Sequence, residues 1–451
     1  MTDGRVSCQA LRVDNRSLVS ALLLTSSLLV AACGGDADPG VTESGDATGA
    51  SDATGSSDAT AGSDTSGGSD ATAGTTGTAG SDSDSDSSDT AFEECVPGVI
   101  GEGDGGLLVE RTFDALREAM GAETTEIHVY DVNGEGDDFY LSGQAGPQGM
   151  TGFAWLARVD ADGGLVWLER FEPLDDATAS ALARHPDGGV VVAGQVRDYD
   201  ATPNQLAWFA SYGPDGATRW SEIRPFLGGG EHLAVDDAGA STGLLWLNGG
   251  SDSTWQAHGV GADGHDGGRS AEQPYFPSGV ASYGGALYVL DGAASAGSDF
   301  RVTRWTGDEQ LAAWSLHSMD YPARPTQLGV LCEHEAVLVG QELGTDGHAS
   351  LTRVDLSTGA QRWSELYDPS ELYDEVREVR VDSVGAVVLL VGGSDWDAYL
   401  AKWSRDGALQ WSHEVPHWFQ ELAILEDDSV VIAGVFKDGP VDTPTLRRYA
   451  P

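Results

Sequence analysis

A four-strand unit, repeated from about residue 100 to the C-terminus, limits the possible folds more than any other feature of this 451-residue chain. One copy begins Ala181-Leu182-Ala183-Arg184, turns, and continues as Gly189-Val190-Val191-Val192-Ala193-Gly194. A linker leads to Leu206-Ala207-Trp208-Phe209-Ala210. A Pro214-Asp215-Gly216 turn then leads to Thr218-Arg219-Trp220-Ser221-Glu222. Short apolar runs rich in β-formers and separated by turn residues predict strands. The second strand and its closing glycine recur at Phe139 to Gly143, Leu244 to Gly249, Leu287 to Gly292, Ala336 to Gly340, Val387 to Gly392 and Val430 to Gly434. Counting the copy above, that makes seven.

The hairpin after it recurs too. Asp162-Gly163 precedes Trp167, Asp215-Gly216 precedes Trp220, Thr358-Gly359 precedes Trp363 and Asp406-Gly407 precedes Trp411. In each copy the tryptophan comes four residues after the glycine. Trp314 is assigned the same place behind a degenerate turn. The unit from about 230 to 270 has lost its tryptophan, with His258 to Gly268 where the hairpin belongs. Closing glycines fall 42 to 55 residues apart, a blade-sized period. The last copy stops after a third strand, Leu446-Arg447-Arg448-Tyr449. The missing fourth is expected at the start, where Asp104-Gly105-Gly106-Leu107-Leu108-Val109 matches Asp162-Gly163-Gly164-Leu165-Val166-Trp167. The predicted fold is therefore all-β: a β-propeller of seven four-stranded blades, closed by an N-terminal strand that leaves no long free edge. An open stack of β-units is the alternative.

Within the repeat, Val354-Asp355-Leu356-Ser357-Thr358-Gly359-Ala360-Gln361-Arg362-Trp363 looks like the tryptophan-docking motif of quinoprotein blades. Residues 100 to 451 resemble bacterial propeller repeats of the quinoprotein-like and myxobacterial lipoprotein type. The resemblance implies a fold and leaves activity open, because propellers host many functions.

The N-terminus carries a different signal. Arg5, Arg12 and Arg16 precede the apolar run LVSALLLTSSLLVAA at 18–32, which is too short to span a bilayer comfortably. Val30-Ala31-Ala32-Cys33 resembles the lipobox of bacterial lipoproteins. That resemblance implies cleavage before Cys33 and lipid on its thiol, hence a membrane as partner. Gly34 rather than Asp follows, which by the enterobacterial sorting rule implies the outer membrane. Residues 33–91 then contain almost only Gly, Ser, Thr, Ala and Asp, with no Lys or Arg between Cys33 and Arg111. Such a segment cannot offset its ordering entropy and is predicted to be a disordered, self-repelling tether. The expected domains are thus a signal peptide at 1–32, a tether at 33–91 and a propeller at 92–451.

Charge excludes some partners. The chain has 24 basic and 72 acidic residues, a net of −48; without residues 1–32 it has 21 and 70. Nucleic acid and anionic bilayer surfaces would be repelled, whereas cations and basic partners fit. Of four cysteines, Cys8 leaves with the signal and Cys33 is reserved for lipid. Cys95 and Cys332 remain as a possible disulfide in an exported protein.

Few residues suggest chemistry. The repeated tryptophans are expected to fill wedges between blades. A cation recurs in the third strands at Arg158, Arg304, Arg353, Lys402 and Arg448. A ring of such cations could hold an anion, but pairing with nearby acids is the expected role. His258, Asp263, His265 and Asp266 could ligate zinc in principle, yet the glycine-rich spacing predicts a flexible loop. Ser81 to Asp86 and Asp131 to Asp137 have some calcium-loop character, but neither completes a loop with a terminal Glu. No cofactor is implied, and calcium is the one ion these segments suggest. No G-x-S-x-G, H-E-x-x-H or P-loop occurs. The expected function is a lipoprotein whose propeller binds a protein or glycan at the envelope or cell surface. An envelope-assembly scaffold, or a quinoprotein-like or carbohydrate-active enzyme, is the alternative.

Overall fold

The computed structural model describes residue 103 and residues 105–451, apart from 137, 148–150, 201–203, 248–253, 274–276, 293–298, 317–322, 343–347, 370–373, 394–396 and 438–441. Among the described residues are seven antiparallel four-stranded sheets. In six blades the strands follow chain order from the axis outward, as in the blade made of Asp176–Arg184, Val190–Arg197, Gln205–Tyr212 and Thr218–Leu227. In the seventh, Phe419–Ile424, Val430–Lys437 and Asp442–Tyr449 are completed by Leu107–Thr112. Glu110 pairs with Arg447, so the N-terminal strand closes the last blade as its sequence match predicts. The innermost strands pack in succession, and Phe419–Ile424 meets Glu126–Glu135 to complete the ring.

The blades are called 1 to 7 here, starting with 126–171. Their cores lie between them. Each of the seven seams holds its own apolar cluster, as where Tyr140 and Leu156 of blade 1 pack on Leu182, Val190 and Trp208 of blade 2. The cause is strand alternation: a sheet with both faces buried gives one face to each neighbour. Val387 to Val391, five consecutive apolar residues, are wholly buried for that reason. The seam between blades 7 and 1 also takes Leu116 and Met120 from the helix Asp114–Met120, an element the repeat gives no hint of, and Phe113 just before it.

Outer parts of the seams are fastened by the hairpins. Gly407 turns with φ +88, and a Cβ there would meet the Trp363 ring at 2.9 Å. Glycine is thus required both by the left-handed turn and by the indole lying against it. Trp363 Nε1 donates to the Arg405 carbonyl of that same turn (2.7 Å). Trp167 to Pro214 (3.1 Å) and Trp220 to Ala262 (3.0 Å) repeat the contact. The tryptophans are therefore packing elements, as expected.

Two expectations need correction. Trp314 does not hold the equivalent place: it pairs with Val302, whereas Trp363 pairs with the cation Arg353. The Gly307-Asp308 turn is only two residues long, which moves Trp314 along its strand. Nor is 258–268 a flexible loop. Gly261 to His265 form an ordinary hairpin turn, and Gly264 lies on Trp220 as Gly407 does on Trp363.

Candidate functional site

Each of the seven innermost strands carries a β-bulge at the same place. The extra residues are Tyr130, Ser180, Glu231, Ser278, Thr326, Arg377 and Gln420. A bulge bends its strand and redirects side chains. Seven in register surround the axis, where a cavity of about 720 Å³ is lined by residues from all seven blades. Tyr130, Ser180, Glu231, Arg377 and Gln420 line it, as do the residues that follow three of the bulges, His232, Glu378 and Glu421. Asp131, Arg380, Asp382 and Arg405 complete its charged lining.

These charges have unequal employment. Asp131 accepts its own strand's Val132 N–H (2.8 Å) and the Leu182 N–H of the next blade (2.6 Å). Glu378 does likewise for Leu422 of blade 7 (2.5 Å) and also pairs with Arg380. These two carboxylates staple adjacent blades from within. Arg377 spends its guanidinium on the carbonyls of His417 (2.6 Å) and Phe419 (2.7 Å). Glu231 and Glu421 make no hydrogen bond or contact ion pair among the described residues, although Arg377 and Arg380 act on Glu421 from a distance.

Burial sets the titration. It pushes Asp131 up to about 6 against the pull of Arg380, and Glu378 up to about 7 against the same arginine. Glu421 is raised well above the ordinary value, by burial first and then by Glu378 and Asp131. Glu231 and His232 reach channel water, yet the surrounding walls displace most of it. Glu231 is thereby raised to about 7 and His232 lowered to about 4, the latter helped by Arg380. Near neutrality the channel therefore holds neutral histidine and partly protonated carboxyls.

Sequence-predicted residues fall elsewhere. All five third-strand cations are ion-paired: Arg158 with Asp138, Arg304 with Glu333, Arg353 with Glu335, Lys402 with Asp382 (2.8 Å) and Arg448 with Asp427 (2.6 Å). Arg158, Arg304 and Arg353 serve the seams. Arg353 and Arg158 also donate to the next blade's hairpin carbonyls, Arg405 and Pro214, and Glu333 belongs to the blade after that of Arg304. Lys402 and Arg448 pair within their own blades. In the proposed zinc cluster His258 lies 3.8 Å from Asp266 and His265 lies 3.7 Å from Asp263, as two separate pairs. No group of three or more potential ligands suited to a metal occurs among the described residues. Asp131 is not part of a calcium loop but a channel staple. Cys332 lines the channel and is disulfide-bonded. Cys8, Cys33 and Cys95 lie outside the described residues, as do the signal, the tether and Ser81 to Asp86. Sequence reasoning missed Glu231, His232, Arg377, Glu378, Arg380 and Glu421. Their one signal was a polar residue interrupting the first strand of several repeats.

No family model matches the chain, and no curated protein matches it. Solved structures similar to it include a eukaryotic initiation factor, at 10% identity and a TM-score of 0.36 over 61% of this chain. The chain spans 63% of that structure's length. A protein of unknown function from Bacteroides caccae matches at 12% identity and TM-score 0.35, over 62% of this chain and 94% of that one. BBS1N, solved in complex with ARL6DN and soaked with lead, matches at 11% identity and TM-score 0.46, over 78% and 98%.

Proposed function

We propose that this chain is an exported lipoprotein, anchored through lipid on Cys33, whose propeller is a non-catalytic binding module for a protein or glycan at the envelope or cell surface. The observation that carries the binding role is the axial channel. Glu231 and Glu421 there remain uncommitted, while the third-strand cations are all engaged in ion pairs. Carboxyls raised by their surroundings and left without a structural partner in a cavity point to a ligand. A cavity of this volume suits a side chain or a small sugar. Export is supported by the order of basic residues, apolar run, small residues and Cys33. The disulfide at Cys332 fits an oxidising compartment, and Cys95 is the proposed partner. Gly34 favours the outer membrane, and the acidic segment 33–91 would hold the propeller away from it.

Protease treatment of intact cells tests the location. Loss of the propeller while a periplasmic control survives would place it on the surface; full protection would place it in the periplasm. Replacing Cys33 with Ala should release the protein from the membrane fraction and abolish incorporation of labelled fatty acid. Retention of both would overturn the anchoring.

A further inference from the structure

The channel contains both cations and carboxylates, and their engagements indicate which kind of ligand it suits. Its cations are committed: Arg377 to the carbonyls of His417 and Phe419, and Arg380 to Glu378 and the Val379 carbonyl (3.2 Å). Three of its five carboxylates are also committed, Asp131 and Glu378 as staples between blades and Asp382 to Lys402. Glu231 on blade 3 and Glu421 on blade 7 face the cavity with acceptor oxygens to spare. The unused capacity is thus acceptor and negative. A bare metal ion is poorly served, since no three candidate ligands converge among the described residues. An extended N–H donor is served better, because it can reach oxygens that are set apart. At the mouth Tyr283, 43% exposed, offers a ring face to an aliphatic stem or a cation. The net charge of −48 would draw a basic partner toward the protein.

We propose that the channel takes amine or guanidinium groups presented by a basic protein segment, with Glu231 and Glu421 as their acceptors. This deepens the binding-module reading and rests on it. The groups facing the site are Tyr130 and Asp131 from blade 1, His232 from blade 3, Tyr283 from blade 4, and Arg377, Glu378, Arg380, Asp382 and Arg405 from blade 6. His232 stays neutral above about pH 4 and so does not oppose a cation, while Asp382 is tied to Lys402 and adds no free acceptor. Carboxyls raised by burial hold protons that an entering cation displaces. Binding therefore strengthens as pH rises through about 6 to 7 and releases protons.

The test is calorimetric titration of the full chain with an N-acetylated tetralysine amide at pH 8 and pH 5.5. Because any polycation is drawn to so acidic a chain, two variants of equal charge change are compared. Glu231→Gln with Glu421→Gln alters the channel; Asp162→Asn with Asp237→Asn alters exposed turns. The expected result is a loss of at least tenfold in the channel variant and less than twofold in the turn variant. Wild type should bind about tenfold more weakly at pH 5.5, with proton release seen as a dependence of the heat on buffer ionisation. Equal loss in both variants, or binding of the fully acetylated peptide with equal affinity, would overturn the proposal. The channel variant replaces burdened carboxyls by isosteric amides, so a melting temperature at or above wild type shows that it is folded. A photo-crosslinker placed at Tyr283 separates this inference from the broader one. Protein adducts on cells that vanish in the channel variant support both. Adducts that persist unchanged, or that are glycan, leave the binding module standing and overturn the basic segment. Absence of any adduct in wild type overturns the binding reading itself.

Discussion

The belt of cations on the third strands and the channel at the axis use the same side chains in opposite ways. In the belt every cation meets a carboxylate, and Arg158 and Arg353 also grip the next blade's turn. Glu335 lies against Arg353, with Arg362 and Arg405 each 3.7 Å away. Asp427 sits below the ordinary carboxylate range although burial pushes it upward, because Ser429 and Arg448 outweigh that push. In the channel burial wins. Glu378 rises to about 7 even with Arg380 in contact, and Glu421 rises with no contact partner at all. Belt charges thus contribute to holding the ring, whereas the uncommitted channel carboxyls of Glu231 and Glu421 weigh against it. Stability accounts for the first arrangement and leaves the second to be explained by what the protein binds.

This contrast can be broken by substitution, because the two regions should respond with opposite sign. The largest effect is expected in the belt. Arg353→Met removes the pairing of Glu335 and the donor to the Arg405 carbonyl, leaving a buried carboxylate short of its main partner. A loss of about 3–5 kcal/mol is expected in denaturant unfolding, less to the extent that Arg362 and Arg405 close in. Adding Glu335→Gln to it should recover part of that loss, as a coupled pair must. Next is Trp363→Ala, expected to cost about 2–4 kcal/mol, since a half-buried indole leaves the Gly407 turn along with its hydrogen bond. Trp314→Ala should cost less. Trp314 stacks on Tyr288 at 6.3 Å and is displaced along its strand from the docking position. Equal losses at Trp314 and Trp363 would show that docking onto the glycine turn adds nothing to burial.

How far each region was legible in the sequence follows from what fixes it. The seams were readable because they depend on residue identity at set spacing. A left-handed turn calls for glycine, and an indole four residues on lies within reach of the next turn, so Asp-Gly and Trp recur visibly. Leu107–Thr112 could be placed for the same reason. The reading failed where spacing changed: Gly307-Asp308 shortened one hairpin and shifted Trp314. It failed again where the tryptophan became Gly268, because a hairpin without its marker looks like a loop. The channel left only a faint mark, a polar residue interrupting several first strands. Whether Glu231 or Glu421 faces the axis depends on a one-residue bulge, and an offset of one residue reverses every side chain after it. The helix Asp114–Met120 is seven residues long, too short for an amphipathic period to stand out.

In the channel the expected sign reverses. Glu421→Gln should raise the melting temperature at pH 8, by about 1–3 °C in a domain of this size, because it removes a charge that burial disfavours. A fall as large as that of a belt substitution would mean that Glu421 is structural. The smallest and most diagnostic effect lies in how stability varies with pH. Asp131, Glu231, Glu378 and Glu421 bind protons more tightly folded than unfolded. Their contribution is fully present below about pH 4 and is lost as pH rises through about 6 to 7. Asp187, Asp355 and Asp427 are lowered in the fold, in each case by hydrogen bonds and charges that outweigh burial. Their contribution is present above the ordinary carboxylate range and fades as pH falls through their lowered values. His232 and His258, lowered to about 4 by burial, add to the second group, their contribution fading as pH falls from about 6.5 to 4. Greatest stability is then predicted near about pH 5, with the alkaline limb belonging to the channel carboxyls and the acid limb to the outer turns and these histidines. Melting curves between pH 3 and 8.5 on wild type and on Glu231→Gln with Glu421→Gln separate them. The alkaline limb should flatten in the variant while the acid limb stays in place. An alkaline limb that keeps its slope would assign it to repulsion across the whole acidic surface, and the channel would then have no special role in the protein's response to pH.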